Sequence, residues 1–268
     1  MTALHVERSG PASAPDVLLV HGWAMHGGLW GELVESLAAR YRVHVVDLPG
    51  HGLSDEKVPD ADIAAWAEAV LAVAPPRAVW IGWSLGGLIA QSAAHAQPDR
   101  VSALGLLAST PSFVARADWP HAVPLEQLTA FASALASNAE ATLSRFLSLQ
   151  VRGAANAAST LRALRASLVS RPTARQSAMQ AGLKLLLESD LRDTLSGLDM
   201  PVIAMFGDRD TLIPVEAAQG LLALNPRLNP SFTPWLRVET IAGAGHAPFW
   251  SHSRAVCERL DRWLADAI

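Results

Sequence analysis

The chain has 268 residues, of which 50% are hydrophobic and 17% charged, and its formal net charge is −4. That length buries a core without a metal or disulfide staple, and Cys257, the single cysteine and here read as a packed core thiol, excludes an internal disulfide. Met1 to Arg8 carries no basic segment followed by an apolar one, and no run of about 18 apolar residues occurs; a cytoplasmic monomer that engages neither membrane nor nucleic acid is expected.

In chain order, Val17–Val20 reads as a strand closed by His21-Gly22, and Leu29 to Ala39 as a helix with Leu29, Leu33 and Leu37 on one face. Arg42–Asp47 is a second strand and Ile63–Val73 a second helix. Strand Ala78–Ile81, helix Gly87–His95 and strand Val101–Leu107 follow. These strands are continuous apolar runs, the pattern of a parallel sheet covered on both faces, and their alternation with helices predicts a doubly wound α/β fold. From Pro111 to Leu191 strand signals vanish and helical periodicity takes over, interrupted at Trp119-Pro120 and Arg171-Pro172. This is read as a helical cap, 111–191, inserted into a core made of 1–110 and 192–268. The α/β rhythm resumes with strand Pro201–Phe206, helix Pro214–Leu224, strand Trp235–Ile241 and helix Ser251–Ala267, with a turn-rich loop at 225–234.

Charge is split by segment. Between Gln127 and Leu187, seven basic residues stand against one acid, Glu140, although the whole chain is acidic. Such a split points to attraction of an acidic partner by the cap. Arg145 and Arg152, seven apart, and Arg162 and Arg165, three apart, are each expected to share a helix face.

Gly82-Trp83-Ser84-Leu85-Gly86 lies between a buried strand and a helix. A serine on that sharp turn has its hydroxyl exposed at the carboxyl end of the sheet. It needs a general base, and the base needs an acid to orient it. The acid should follow the strand ending at Phe206, where Asp208 and Asp210 both stand; Asp210, deeper in the loop, is preferred, and Asp208 is read as a brace of the turn. The base should follow the last strand, which selects His246. His21 and His51 flank glycines near the site and are read as lining it or bracing the oxyanion loop, and His5, His26, His44, His95, His121 and His252 are read as surface or packing residues. Backbone N–H groups of Leu85 and Trp23 are the expected oxyanion donors. Of nine tryptophans, Trp83, Trp119 and Trp250 could line an apolar acyl pocket, with core packing the alternative. Neither a zinc-ligand spacing nor a phosphate loop occurs, so no metal or cofactor is expected.

These residues together resemble the α/β-hydrolase superfamily over nearly the whole chain, which implies a mostly parallel central sheet, helices on both faces and an inserted cap. Leu19–Trp23, Val45–Ser54, Trp80–Leu88, Asp118–Pro120, Arg145–Gln150 and Gly245–Phe249 more specifically resemble the pimeloyl-[acyl-carrier protein] methyl ester esterases of biotin synthesis. That resemblance implies hydrolysis of a methyl ester on a carrier-bound pimeloyl chain. It also implies substrate contacts from Trp23, Ser84, Leu85, Phe146, Leu147, Ser148, Leu149, Gln150 and His246. Of the cap arginines that dock the carrier in this family, Arg145 and Arg162 match in position. Ala141 and Ala158 fill other positions, for which Arg152 and Arg165 substitute. The alternatives are a broad esterase of free short-acyl esters and a ligand- or carrier-binding protein without turnover.

Overall fold

The computed structural model describes residues 4–54, 60–154, 156–224 and 236–268. Seven strands form one sheet: β1 (Val6–Ser9), β2 (Asp16–Val20), β3 (Arg42–Val46), β4 (Ala78–Trp83), β5 (Val101–Leu107), β6 (Val202–Gly207) and β7 (Leu236–Ile241). Their order is β1-β3-β2-β4-β5-β6-β7, with β1 antiparallel to β3 and every other neighbour parallel. All residues of β4 and β6 are buried, as continuous apolar runs require in a sheet covered on both faces. After β2 the chain crosses to one side, to β3, and after β4 to the other, to β5. The crevice at the carboxyl ends of β2 and β4 is therefore a topological switch point, where open α/β sheets hold their sites.

The helices α1 (Glu32–Ala38), α2 (Ile63–Leu71) and α3 (Leu85–Ala96) flank the first half of the sheet. Between β5 and β6 come α4 (Leu125–Ser137), α5 (Ala139–Gln150), α6 (Ala157–Leu168), α7 (Gln176–Glu188) and the short α8 (Arg192–Ser196). The chain ends with α9 (Ala217–Leu224), α10 (Pro248–Ser251) and α11 (Ser253–Ala267). Residues ahead of α4 are not helical: Val114 and Val123 make an isolated parallel bridge, and Arg116 and Trp119 an antiparallel one.

The structure departs from the predicted elements at four places. The antiparallel edge strand β1 is Val-Glu-Arg-Ser, half exposed and without an apolar run, so it gives no strand signal in sequence. The helix expected over 29–39 is split at Gly31, whose φ of +47° suits glycine, into a 3₁₀ turn (Gly27–Trp30) and α1. The last helix breaks at His252, which has φ −139° and ψ 44°. The helix expected from Pro214 begins at Ala217. The predicted loop 225–234 and strand residue Trp235 lie outside the described residues.

The inserted helices are tied to the core largely around the α6–α7 connection. The Arg171 guanidinium pairs with buried Asp47 at 2.8 Å and with Glu7 at 2.6 Å. Arg175 N–H donates to Gly50 O at 2.8 Å, and the His26 ring meets Leu168 O at 3.1 Å. At the end of α5, Gln150 O accepts from Ala247 N–H at 3.2 Å.

Candidate functional site

Ser84 caps α3 at the end of β4, with φ 54° and ψ −119°. A non-glycine residue at positive φ costs on the order of 1–3 kcal/mol, so the surroundings must enforce it. They do so by close approach: a Cβ on Gly82 would stand 2.3 Å from Gly86 O, and one on Gly86 would stand 2.1 Å from Val20 O. The elbow glycines are thus required by sterics.

His246 lies in the loop after β7, and its Nε2 is 3.0 Å from Ser84 Oγ. Its Nδ1 is 2.8 Å from Asp210 Oδ2. Asp210 Oδ1 accepts from the N–H groups of Leu212 and Ile213 at 2.7 and 3.0 Å, which fixes the carboxylate. With the carboxylate accepting at Nδ1, that nitrogen carries the proton and Nε2 is left to accept from the serine hydroxyl. The His246 and Asp210 side chains are 1% and 0% exposed. Asp208 is placed elsewhere: its Oδ1 accepts from Gly243 N–H at 2.6 Å and joins the loops after β6 and β7.

Trp23 follows β2, with its indole Nε1 donating to Met179 O of α7 at 2.7 Å. Its ring meets Phe146 of α5 edge-on at 4.8 Å and Phe131 of α4 at 5.4 Å. These three rings wall an apolar cavity of about 490 Å³, closed further by Leu128, Leu149 and Leu183. Among the described residues that line it, Arg145 alone is charged. Leu85, at the start of α3, is fully buried.

The stretch Phe146–Gln150 divides by helical periodicity. Thr142, Arg145, Phe146 and Leu149 line the cavity because residues three and four apart share a face. Leu147, Ser148 and Gln150 do not line it. Leu147 is buried in the core, Ser148 Oγ donates to Ser144 O at 3.1 Å, and Gln150 is buried beside the His246 loop. The three tryptophans considered for an acyl pocket do not line the cavity either, and the packing alternative describes them. The Trp83 indole donates to His246 O at 2.8 Å, that of Trp119 to Ser112 O at 3.1 Å, and that of Trp250 to Leu29 O. Leu128, Phe131 and Leu183 line the cavity although sequence reasoning did not single them out; their helical spacing marked an apolar face without showing what it faces.

Arg145, Arg152, Arg162 and Arg165 are exposed, and none makes an ion pair among the described residues. Arg165 Nη2 reaches Ser144 Oγ at 3.3 Å, linking α6 to α5. Arg152 lies beyond the end of α5, so it does not share a helix face with Arg145 as its spacing predicted. Two other members of the basic segment are neutralised, Arg171 by Asp47 and Glu7 and Lys184 by Glu188 at 3.9 Å. Among the described residues no cluster of three His, Cys, Asp or Glu side chains is placed to hold a metal ion, and no helix is long and apolar enough to cross a membrane.

Sheet order, the strained serine after β4 and the histidine after the last strand define an α/β hydrolase. The profile of the family described as alpha/beta hydrolase fold matches residues 15–253. The chain is 45% identical over 263 residues to a pimeloyl-[acyl-carrier protein] methyl ester esterase of Xanthomonas campestris pv. campestris (strain B100), covering 98% of this chain and 99% of that protein. A protein of the same description from Xylella fastidiosa (strain M23) is 41% identical over 262 residues, again covering 98% and 99%. Among solved structures, an esterase from Exiguobacterium antarcticum superposes with a TM-score of 0.85 at 22% identity, covering 98% of this chain and 95% of that one. The chain belongs to the α/β-hydrolase family, in the group of the pimeloyl-[acyl-carrier protein] methyl ester esterases.

Proposed function

We propose that the chain is a serine carboxylesterase that hydrolyses the methyl ester of a pimeloyl chain carried on acyl-carrier protein, releasing methanol and the free carboxylate. The observation that carries the reading is the continuous set Ser84–His246–Asp210, at 3.0 and 2.8 Å, in a chain 45% identical to an esterase of that description. His246 Nε2 takes the Ser84 proton as Oγ attacks the ester carbonyl, and Asp210 stabilises the imidazolium that forms. The N–H groups of Trp23 and Leu85 hold the oxyanion, each worth about 3 kcal/mol in the transition state. His246 then returns the proton to the departing methoxide, and methanol leaves an acyl-enzyme. A water deprotonated by His246 attacks that acyl group, and its collapse returns Ser84 and frees the carboxylate.

The apolar cavity suits the methylene chain, and the exposed arginines of α5 and α6, which make no ion pair among the described residues, suit the acidic carrier that remains attached at its far end. In this reading α4–α7 act as a cap, and Phe146 and Leu149 are its substrate contacts. The test is methanol release from pimeloyl-[acyl-carrier protein] methyl ester by wild type and by Ser84→Ala. Retained turnover in the alanine variant overturns the serine mechanism. Equal use of free methyl pimelate and the carrier-bound ester at low salt overturns the carrier preference and leaves a broad esterase. Failure of a fluorophosphonate probe to label Ser84 supports a binding protein without turnover.

A further inference from the structure

The two oxyanion donors belong to the peptide groups Gly22–Trp23 and Ser84–Leu85. In a planar trans peptide the C=O and N–H point in opposite directions, so a contact that fixes the carbonyl also aims the amide. A buried side chain holds each carbonyl. His21 Nδ1 lies 2.8 Å from Gly22 O, and Ser109 Oγ donates to Ser84 O at 2.8 Å. Backbone adds one bond to each: Met25 N–H to Gly22 O at 3.2 Å and Gly87 N–H to Ser84 O at 2.9 Å. Both His21 and Ser109 are 0% exposed. Among the described residues, neither the Trp23 nor the Leu85 N–H is engaged by an acceptor. The two peptides are neighbours, since a Cβ on Gly22 would stand 3.3 Å from Ser84 Cβ and one on Gly86 would stand 2.6 Å from His21 O.

We propose that His21 and Ser109 are paired positioning residues, which aim the two oxyanion-binding amides by holding the carbonyl ends of their peptides. The proposal rests on the reading of Trp23 and Leu85 as oxyanion donors. His21 is suited to the task because its tautomer is set: Nε2 accepts from Leu48 N–H at 3.0 Å, so the ring proton is on Nδ1, facing Gly22 O. Burial pushes its pKa down to about 3, so the ring stays neutral and keeps both bonds. Ser109 acts where the backbone is strained. Its hydroxyl adds to the Gly87 N–H bond in holding the carbonyl of a serine at φ 54°, a conformation that persists only where neighbours over-determine it. Preorganised donors of this kind need no reorganisation as charge develops.

The experiment measures hydrolysis of p-nitrophenyl acetate and inhibition by an alkyl trifluoromethyl ketone, which forms a tetrahedral adduct with the serine. Ser109→Ala removes one oxygen and leaves the packing intact. It is expected to lower kcat roughly 10- to 100-fold, part of the ~10²–10³-fold cost of losing a donor outright, with KM unchanged and ketone affinity reduced by the same factor as kcat/KM. His21→Gln keeps an acceptor for Leu48 N–H and loses the donor to Gly22 O, and it should behave alike. His21→Asn, which returns an N–H at the place of Nδ1, should recover most of the loss. If Ser109→Ala and His21→Gln keep kcat and ketone affinity within about twofold of wild type while Ser84→Ala abolishes turnover, the positioning role is overturned and the serine reading stands. A fall in kcat without a matching fall in ketone affinity also overturns it. Turnover by Ser84→Ala would instead remove the reading on which the proposal rests.

Discussion

The elbow helix α3 and the first inserted helix α4 are similar in length and opposite in packing. Ten of the twelve residues of α3, Leu85 through Ala94, are buried, whereas α4 spans thirteen residues and buries Leu135 alone. Hydrophobic burial fixes the first against the sheet, and the second is held by a narrow seam and by its contacts with α5 and α7. Ser84, the nucleophile of the proposed function, stands at the start of the tightly packed helix, and the thinly packed one gives Leu128 and Phe131 to the cavity wall. Geometry that must be exact is thus placed where opening is costly, and recognition where the structure yields most readily.

Substitutions on the two sides should separate rate from binding. Ser84→Ala is expected to lower turnover by on the order of 10⁴-fold or more, with an unchanged melting temperature, as read by methanol release and calorimetry. Asp210→Asn leaves the shape intact but favours the wrong histidine tautomer, and a loss of roughly 10³–10⁴-fold in kcat is expected. If either variant changed KM alone, the assignment of chemistry to the packed side would break. Leu104→Ala in β5, at 0% exposure, should cost about 2–5 kcal/mol of stability in a urea titration. Leu128→Ala in α4, half-buried on the cavity wall, should cost about 1 kcal/mol and instead raise KM for long-chain esters. The double change Arg162→Glu with Arg165→Glu, both exposed and off the cavity lining, should weaken use of the carrier-bound ester by about tenfold at low salt and leave free methyl pimelate untouched, a difference that added salt erases.

The smallest effect concerns pH. Burial lowers His21 to about 3 and His51 to about 4 from the ordinary imidazole value of 6.5. Between those values the unfolded chain binds protons that the folded chain refuses, so stability is full above about 6.5 and declines as the pH falls toward 4. The melting temperature at pH 5 should therefore lie below that at pH 7, as read by calorimetry.

The central strands and the elbow were legible because their signals are local: β4 and β6 are unbroken apolar runs, and the glycines at 82 and 86 announce a turn that no side chain permits. The edge strand β1 was not legible, since its hydrogen-bond partner is β3, far along the chain, and its residues alternate with no apolar stripe. Asp208 and Asp210 are two residues apart on the same loop, and only the placement of His246 separates a turn brace from a histidine partner. The same limit applies to the cavity. Leu128, Phe131 and Phe146 each mark the inner face of a helix, but which helices face one another is decided by how α4, α5 and α7 pack. Arg152 looked like a helix neighbour of Arg145 because spacing carries no notice that α5 stops at Gln150.

Trp23 joins the two regions within one residue. It follows Gly22, which packs against Ser84, its ring forms a wall of the cavity, and its indole N–H is anchored on Met179 of α7. Reshaping the enzyme for shorter or bulkier acids through this position would disturb reactivity and selectivity together. Phe131 and Leu128, which touch the same space from α4 and no reacting group, are the sites at which scope can be evolved while the catalytic apparatus is inherited unchanged.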